Sequence, residues 1–264
     1  MQLDRREVIK ERDSLLEHML YKIQNSPVTR ENLIIRGGAA MHFFYSSPRY
    51  SGDIDTAITE FDKYRTDVTN EMMSKIDIED KTYFPKLSKD AKDFLRVSYA
   101  QVYPNTPTAK LEVDRIGAPT KYTKTSGKFA PIIVEDPSEI YADKIVATFH
   151  RMQLRNSIKP SDLFDLEYIT NILNAKASKE DIKNKAKVYD NFGWNKENLD
   201  KIMDYIRNQK NLGSFRKNLE DSMMPDFFKT QNFDSEYFNK TAEHFSDLNE
   251  VVSDQADLFQ QIKK

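Results

Sequence analysis

Apolar residues recur along this chain in two rhythms, and the change between them falls near Pro137. From residue 5 to 24, Val8, Leu15, Leu16, Met19, Leu20 and Ile23 stand at helical spacing with charges between them, which predicts an amphipathic helix closed by Asn25-Ser26-Pro27. A short apolar run, Leu33-Ile34-Ile35, breaks at Gly37-Gly38 and leads into a helix over Ala39 to Tyr45, ended by Ser46-Ser47-Pro48: strand, glycine turn, helix. Asp53 to Thr59 reads as a second strand, and Phe61 to Ile76 as a helix with Tyr64, Val68, Met72 and Ile76 in its stripe. Phe94 to Tyr103 and Ala109 to Ile116 alternate with period two, so Leu111 and Val113 share one face while Lys110, Glu112 and Asp114 share the other. A loop rich in Lys and Gly, KYTKTSGKFA, leads to the apolar Pro131-Ile132-Ile133-Val134. Beyond Pro137 the helical spacing persists, with helices near 137 to 154, 160 to 174, 178 to 190, 195 to 209 and in two or three pieces past 212.

The two rhythms predict a mixed α/β (α+β) chain with a sheet-containing core domain over residues 1–135 and a helical domain over residues 136–264. A length of 264 residues accommodates both, and 31% charged with 39% hydrophobic residues is the profile of a soluble globular protein. The formal net charge of -2 argues against coating nucleic acid by bulk attraction, so any such contact must be local. With no cysteine, a disulfide framework, a thiolate metal site and a cysteine nucleophile are excluded. His18, His42, His150 and His244 are too scattered for a zinc site, and His42 and His150 read as packing or surface residues on helices. Trp194, Phe227, Phe228, Phe233 and Phe238 are expected to fill the helical core, and Lys121, Lys124 and Lys128 to sit in a solvated loop. No apolar run approaches the length of a membrane span, and the N-terminal charges lead into no apolar core, so no membrane contact and a cytoplasmic location are expected.

The candidate chemistry lies in IIRGGAAMHFFYSSPRYSGDIDTAI, residues 34 to 58. Side chains two apart in a strand share a face with Cα atoms roughly 6.5–7 Å apart, so Asp53 and Asp55 project together. Two such carboxylates suit a divalent cation, or a pair of cations that clamps the attacking and leaving oxygens in phosphoryl transfer. Where the first strand turns into a helix, Gly37 and Gly38 let backbone N–H groups approach a phosphate near the positive end of the helix.

The order of glycine turn, short helix and an Arg-x-Ser-x-Asp-x-Asp run resembles the DNA polymerase β-like nucleotidyltransferase superfamily. More narrowly, it is similar to the first motif of the AbiEii-type nucleotidyltransferases, which include toxins of type IV toxin–antitoxin systems and usually read RGGTAL followed by RxSEDID. Downstream, Lys110-Leu111-Glu112-Val113 is similar to a family strand bearing a third carboxylate, SEIYADKIVATFHRM to a helix centred on a functional lysine, and KPSDLFDLEYI to the family's RDxxD helix. The resemblance implies a metal-dependent transferase that moves a nucleoside monophosphate from a nucleoside triphosphate (NTP) to an acceptor hydroxyl, with Mg²⁺ or Mn²⁺ as cofactor. It implies nucleotide binding by Gly37, Gly38, Arg49, Ser51 and Lys144, and metal binding by Asp53, Asp55 and Glu112. Glu112 would share the metal or take the proton of the acceptor hydroxyl, and Asp114 on the same face is its alternative. Lys144 would neutralise phosphate charge on a helix face shared with Thr148 and Arg151, and Asp162 and Asp165 would share the face of the next helix, Asp165 orienting Lys144 or acting as base.

The resemblance further implies an RNA acceptor, with the 3′ end of tRNA a candidate, and a cognate antitoxin as partner. Three positions depart from the family pattern: Gly52 replaces Glu, Ala39 replaces Thr, and Ser161 replaces the arginine of RDxxD, which leaves Lys159 or Arg151 to substitute. Ser161 and Gly52 motivate an alternative, a catalytically degenerate member that binds nucleotide or a partner without transfer. A metal-dependent phosphohydrolase using the same carboxylates is a third reading.

Overall fold

The computed structural model describes residues 4–58, 60–102, 106–115 and 121–252. The chain divides into two compact units, Met1–Asp136 and Pro137–Lys264.

The first unit opens with α1 (Arg5–Asn25), whose stripe of Leu15, Leu16, Met19, Leu20 and Ile23 is fully buried, and with the short α2 (Pro27–Asn32), which has Pro27 in its first turn. β1 (Leu33–Arg36) runs directly into α3 (Gly37–Phe44); β2 (Ile54–Ile58) and α4 (Phe61–Met72) come next. There follow β3 (Ile76–Ile78), β4 (Lys81–Ala91), β5 (Phe94–Ala100), β6 (Ala109–Asp114), β7 (Tyr122–Lys124) and β8 (Ile133–Glu135). Among the described residues these strands form one eight-stranded sheet in the order β3-β4-β5-β6-β2-β1-β8-β7. β2 lies parallel to β6 and β1 parallel to β8, while the other neighbours are antiparallel, so the sheet is mixed.

Alternation along the strands gives the sheet two different faces. Ile54, Leu95, Val97, Tyr99, Leu111 and Val113 are buried on one, where α1 packs against β6 and α4 against β5. Lys22 of α1 reaches across to donate to Tyr99 Oη at 3.1 Å. Full burial of each such Leu, Ile or Val contributes about 1.5–3 kcal/mol, which holds the register against a slip that would turn every side chain over. The opposite face carries Asp55, Phe94, Arg96, Ser98, Lys110, Glu112 and Asp114, all partly or fully open to solvent.

Three expectations are corrected in this unit. α4 stops at Met72, whose following residue turns its N–H to Asn70, and Ile76 belongs to β3 instead of the helix. Tertiary pairing overrides the helical spacing there, because Ile76 pairs with Tyr83 across the sheet edge. β4, for which no element is expected, is too rich in Lys, Ser and Asp to show an apolar alternation; it is held by its ladder with β5. Within KYTKTSGKFA, Tyr122–Lys124 is edge strand β7 instead of loop, paired to β8 while its side chains remain exposed. Thr59, Tyr103 and Ile116, the expected ends of three strands, lie outside the described residues.

Every element of the second unit is a helix among the described residues. α5 (Pro137–Arg155), α6 (Pro160–Asn171), α7 (Lys179–Val188), α8 (Lys196–Arg207), α9 (Gln209–Ser222), α10 (Pro225–Thr230) and α11 (Ser235–Ser246) follow in turn. Prolines open α5, α6 and α10, and Ser178 and Asp181 form a capping box on α7, so the boundaries follow local chemistry. α5 packs against α6, α7 and α8, and α11 against α6 and α8. Between them Tyr141, Phe149, Trp194, Phe238 and Phe245 are buried, with Phe149 and Trp194 ring centroids 4.5 Å apart. Phe233 joins this core, whereas Phe227 and Phe228 are only half-buried.

Candidate active site

β2 supplies the centre of the first unit's site. Asp55 lies opposite Glu112 of the parallel β6 on one side and opposite Arg36 of β1 on the other. Asp53 precedes the first residue of β2 and is placed by Ser51, whose hydroxyl donates to the Asp53 carbonyl at 2.8 Å. Burial is the main force that raises the Asp53 carboxyl above its ordinary value, opposed by Lys110 and reinforced by Asp55. Glu112 is raised for the same reasons, burial first and then the charge of Asp55, with Arg96 opposing. Each of these two carboxyls therefore feels Asp55, and the three acids share one neighbourhood whose negative charge is only partly neutralised. Asp114 pairs with Ala57 instead, two pairs further along the ladder, which separates it from Glu112 in position.

The glycine turn stands against these acids. Gly37 adopts φ +54°, a left-handed conformation that costs glycine little, and a Cβ there would lie 3.6 Å from Asp55 Oδ2. A Cβ on Gly38 would come within 3.0 Å of both Arg49 Nη2 and Ser51 Oγ, so Gly38 lets the buried Arg49 and Ser51 close against the start of α3. The structure thus brings Gly37, Gly38, Arg49, Ser51, Asp53, Asp55 and Glu112 into one cluster.

Two further side chains belong to it that the sequence did not single out. Glu135 of β8, fully buried, accepts the Gly37 N–H at 3.2 Å through Oε2, while Oε1 lies 3.4 Å from Arg36 Nε. It thereby holds the turn in the left-handed conformation. Arg96 of β5 donates to Glu112 Oε1 at 2.7 Å, and Lys110 Nζ lies 3.9 Å from Asp53 Oδ2. Arg96 is legible only as a polar residue on an alternating strand, and Glu135 follows an apolar run with no motif around it; their roles come from strand register.

The remaining sequence candidates form a second cluster inside the helical unit. Lys144 of α5 is buried with Nζ 2.8 Å from Asp162 Oδ1 and 2.9 Å from Asp165 Oδ2, both on α6. Burial pushes the Asp162 carboxyl upward, but the charges of Lys144 and Lys159 outweigh it, and the group is held below the usual carboxylate range. Lys159, at the N-cap of α6, therefore supplies positive charge beside Asp162 where the family pattern has an arginine at position 161. The buried Nε of Arg151 has no hydrogen-bond partner among the described residues. Ser161 is buried, its hydroxyl likewise without a partner among the described residues. Thr148 donates to the Lys144 carbonyl at 2.8 Å.

The expected histidines make packing and bridging contacts within their own units. His42 bridges α3 to α1, with Nε2 2.9 Å from Asp13 Oδ1, and His150 packs edge-on against Tyr189 and Phe192.

The donor chemistry suits a hard divalent cation, since Asp53, Asp55 and Glu112 offer oxygen alone and carry excess negative charge. Among the described residues no three Asp, Glu or His side chains are already gathered tightly enough to chelate one ion. Glu112 is turned to Arg96 and Asp53 faces Lys110, so these two cations occupy the charge balance that a metal would take over.

Comparison with known proteins bears on the fold and the family. No curated protein sequence matches the chain. Among solved structures, MenT4, a nucleotidyltransferase toxin of Mycobacterium tuberculosis H37Rv, is similar with a TM-score of 0.60 at 15% identity, covering 95% of this chain and 92% of its own. A candidate nucleotidyltransferase of H. pylori matches with a TM-score of 0.51 at 15% identity, over 93% of this chain and 96% of that one. At such identities the likeness shows a shared fold. The family model described as nucleotidyl transferase AbiEii toxin, type IV TA system, matches residues 20–257, and the chain belongs to that family of nucleotidyltransferases.

Proposed function

We propose that this nucleotidyltransferase is metal-dependent and transfers a nucleoside monophosphate from an NTP to a hydroxyl of RNA. The observation that carries the reading is the register of β2: it sets Asp55 beside Glu112, within reach of Asp53, and against the Gly37 turn. Asp53, Asp55 and Glu112 would hold Mg²⁺ or Mn²⁺. Bound there, the cation would offset the charge on the oxygens between which the phosphoryl group passes. Gly38, Arg49 and Ser51 bind and orient the triphosphate beside the start of α3, where the helix dipole favours anions. The acceptor oxygen forms a bond to the α-phosphorus as the bond to the bridging oxygen breaks, and pyrophosphate leaves. Where Glu112 does not ligate the cation, its Oε2, the oxygen that Arg96 does not engage, takes the hydroxyl proton.

Within the helical unit, Asp162 and Asp165 hold Lys144 in place. In the cytoplasm the activity would inhibit growth and be restrained by a cognate antitoxin; among the described residues no helix is long and apolar enough to cross a membrane.

The test is transfer from four labelled NTPs to total cellular RNA with Mg²⁺. Asp55→Asn, at a solvent-exposed strand position, is expected to lower transfer at least about a hundredfold with the melting temperature unchanged. Full activity in Asp55→Asn would overturn the assignment. Nucleotide binding without transfer in the wild type would favour the degenerate reading, which the buried Ser161 hydroxyl, unpartnered among the described residues, supports. Label released as free nucleotide would indicate hydrolysis.

A further inference from the structure

The sheet face that carries the three acids continues outward over β6, β5 and β4, and its character changes on the way. Register defines the rows. One row runs Lys89, Arg96, Glu112, Asp55 from β4 to β2, and the next runs Lys86, Ser98, Lys110. Because opposed residues on paired strands share a face, all of these side chains stand on the side of the acids. With strands about 4.8 Å apart, Lys89 stands about 10 Å from Glu112 and about 14 Å from Asp55.

Lys86 and Lys89 are exposed and have no carboxylate partner among the described residues. Lys89 Nζ lies 4.7 Å from the centroid of Phe94, and Arg96 Cζ 5.2 Å from the same ring, which holds two cations at fixed places on an otherwise open surface. A row further out, Phe84 opposes Ala100 on this face, is 48% exposed, and has no ring or cation against it among the described residues. A large aromatic side chain left this open at the end of a cationic track calls for a ligand with flat faces and regular negative charges.

On the basis of the function proposed above, we infer that this β4–β5–β6 face is the track on which the acceptor is laid: a single-stranded RNA segment just 5′ of the accepting hydroxyl. Lys110 and Arg96 meet the phosphates nearest the acids, Lys89 and Lys86 the next ones, and a base stacks on Phe84. A double-stranded segment fits less well, because its bases are already stacked and would leave Phe84 bare. An acidic protein partner would match the lysines but has no use for an open ring beside them.

The experiment is fluorescence anisotropy with a labelled twelve-nucleotide single-stranded RNA, titrated over a series of salt concentrations without NTP, so it does not depend on catalysis. The double variant Lys86→Glu/Lys89→Glu is expected to weaken binding at least tenfold and to reduce the slope of log affinity against log salt by about 1.4, two contacts at about 0.7 each. Phe84→Ala is expected to weaken binding about tenfold with the slope unchanged, the mark of lost stacking. Melting temperatures and the affinity for Mg²⁺·NTP should match wild type in all variants, since the substituted side chains are exposed.

RNA affinity and slope unchanged in the variants, with transfer to RNA intact, would overturn the track and leave the transferase reading standing. A weakened Mg²⁺·NTP affinity in the lysine variant would overturn it by assigning these cations to the triphosphate. Wild-type protein that labels a protein and binds no RNA would overturn both the track and the RNA acceptor.

Discussion

Replacing Lys144 by methionine removes the cation that holds two buried carboxylates, and the cost follows from what remains. Nζ stands 2.8 Å from Asp162 and 2.9 Å from Asp165, whose exposures are 3% and 0%. Methionine replaces the aliphatic stem of the lysine closely, so no large cavity opens and the loss is electrostatic. Removing one member of a buried ion pair costs about 3–5 kcal/mol, here eased at Asp162 by the charge of Lys159. In a protein of this size that lowers Tm by about 10–15 °C.

The same argument specifies a pH dependence. Burial pushes Asp162 up, but Lys144 and Lys159 hold it below its ordinary value. A carboxyl depressed in the folded state contributes its stability in full above its unfolded pKa of about 3.9 and loses it as pH falls through the folded value. In Lys144→Met the carboxyls instead take up protons more readily, which relieves the buried charge. The gap between wild type and variant should therefore be widest near pH 7 and narrow towards about pH 4. Calorimetric melting across that range tests it, together with Lys144→Met/Asp162→Asn/Asp165→Asn, which should recover part of the loss. A Lys144→Met protein that melts within about 2 °C of wild type at neutral pH would refute the reasoning, because it would mean that the carboxylates are hydrated.

Other expectations concern the first unit. Gly38→Ala places a methyl 3.0 Å from Arg49 Nη2 and Ser51 Oγ, so the KM for NTP should rise several-fold, whereas Gly52→Ala, with nothing within 4 Å, should leave it unchanged in steady-state assays. Glu135→Gln withdraws the charge opposite Arg36 and weakens the hold on the Gly37 N–H; a loss of about 2–3 kcal/mol in denaturant unfolding and a raised KM for NTP are expected, and wild-type values in both would remove Glu135 from the support of the turn. Asp53 and Glu112 are raised mainly by burial, so protons compete with a cation at these oxygens. Calorimetric Mg²⁺ affinity should increase from about pH 5 to about pH 7, with proton release at the lower pH; in metal-free protein the same two groups lose stability as pH rises through the window between their unfolded and raised folded values.

Much of this protein is written locally in its sequence. The buried stripe of α1, the proline-opened helices, the alternation of β5 and β6, and the strand, glycine turn and helix around Gly37 all depend on residues within a few positions of one another, and periodicity exposes them. So does the pairing of Asp53 with Asp55, and the family motif that surrounds them. What the sequence left open depends on partners far along the chain. β4 has no apolar rhythm because it lies near the sheet edge with one face in solvent, and only its ladder with β5 makes it a strand. The placement of Glu112, and not Asp114, beside Asp55 is a matter of β2–β6 register, which residues more than fifty positions apart decide together. Glu135 meets Gly37 across ninety-eight positions, and Lys89 joins the row of acids through one intervening strand. Local patterns specify which face of an element is apolar; which charges then meet on the polar face is set by how the strands are ordered and registered, and that is decided by burial of the whole sheet.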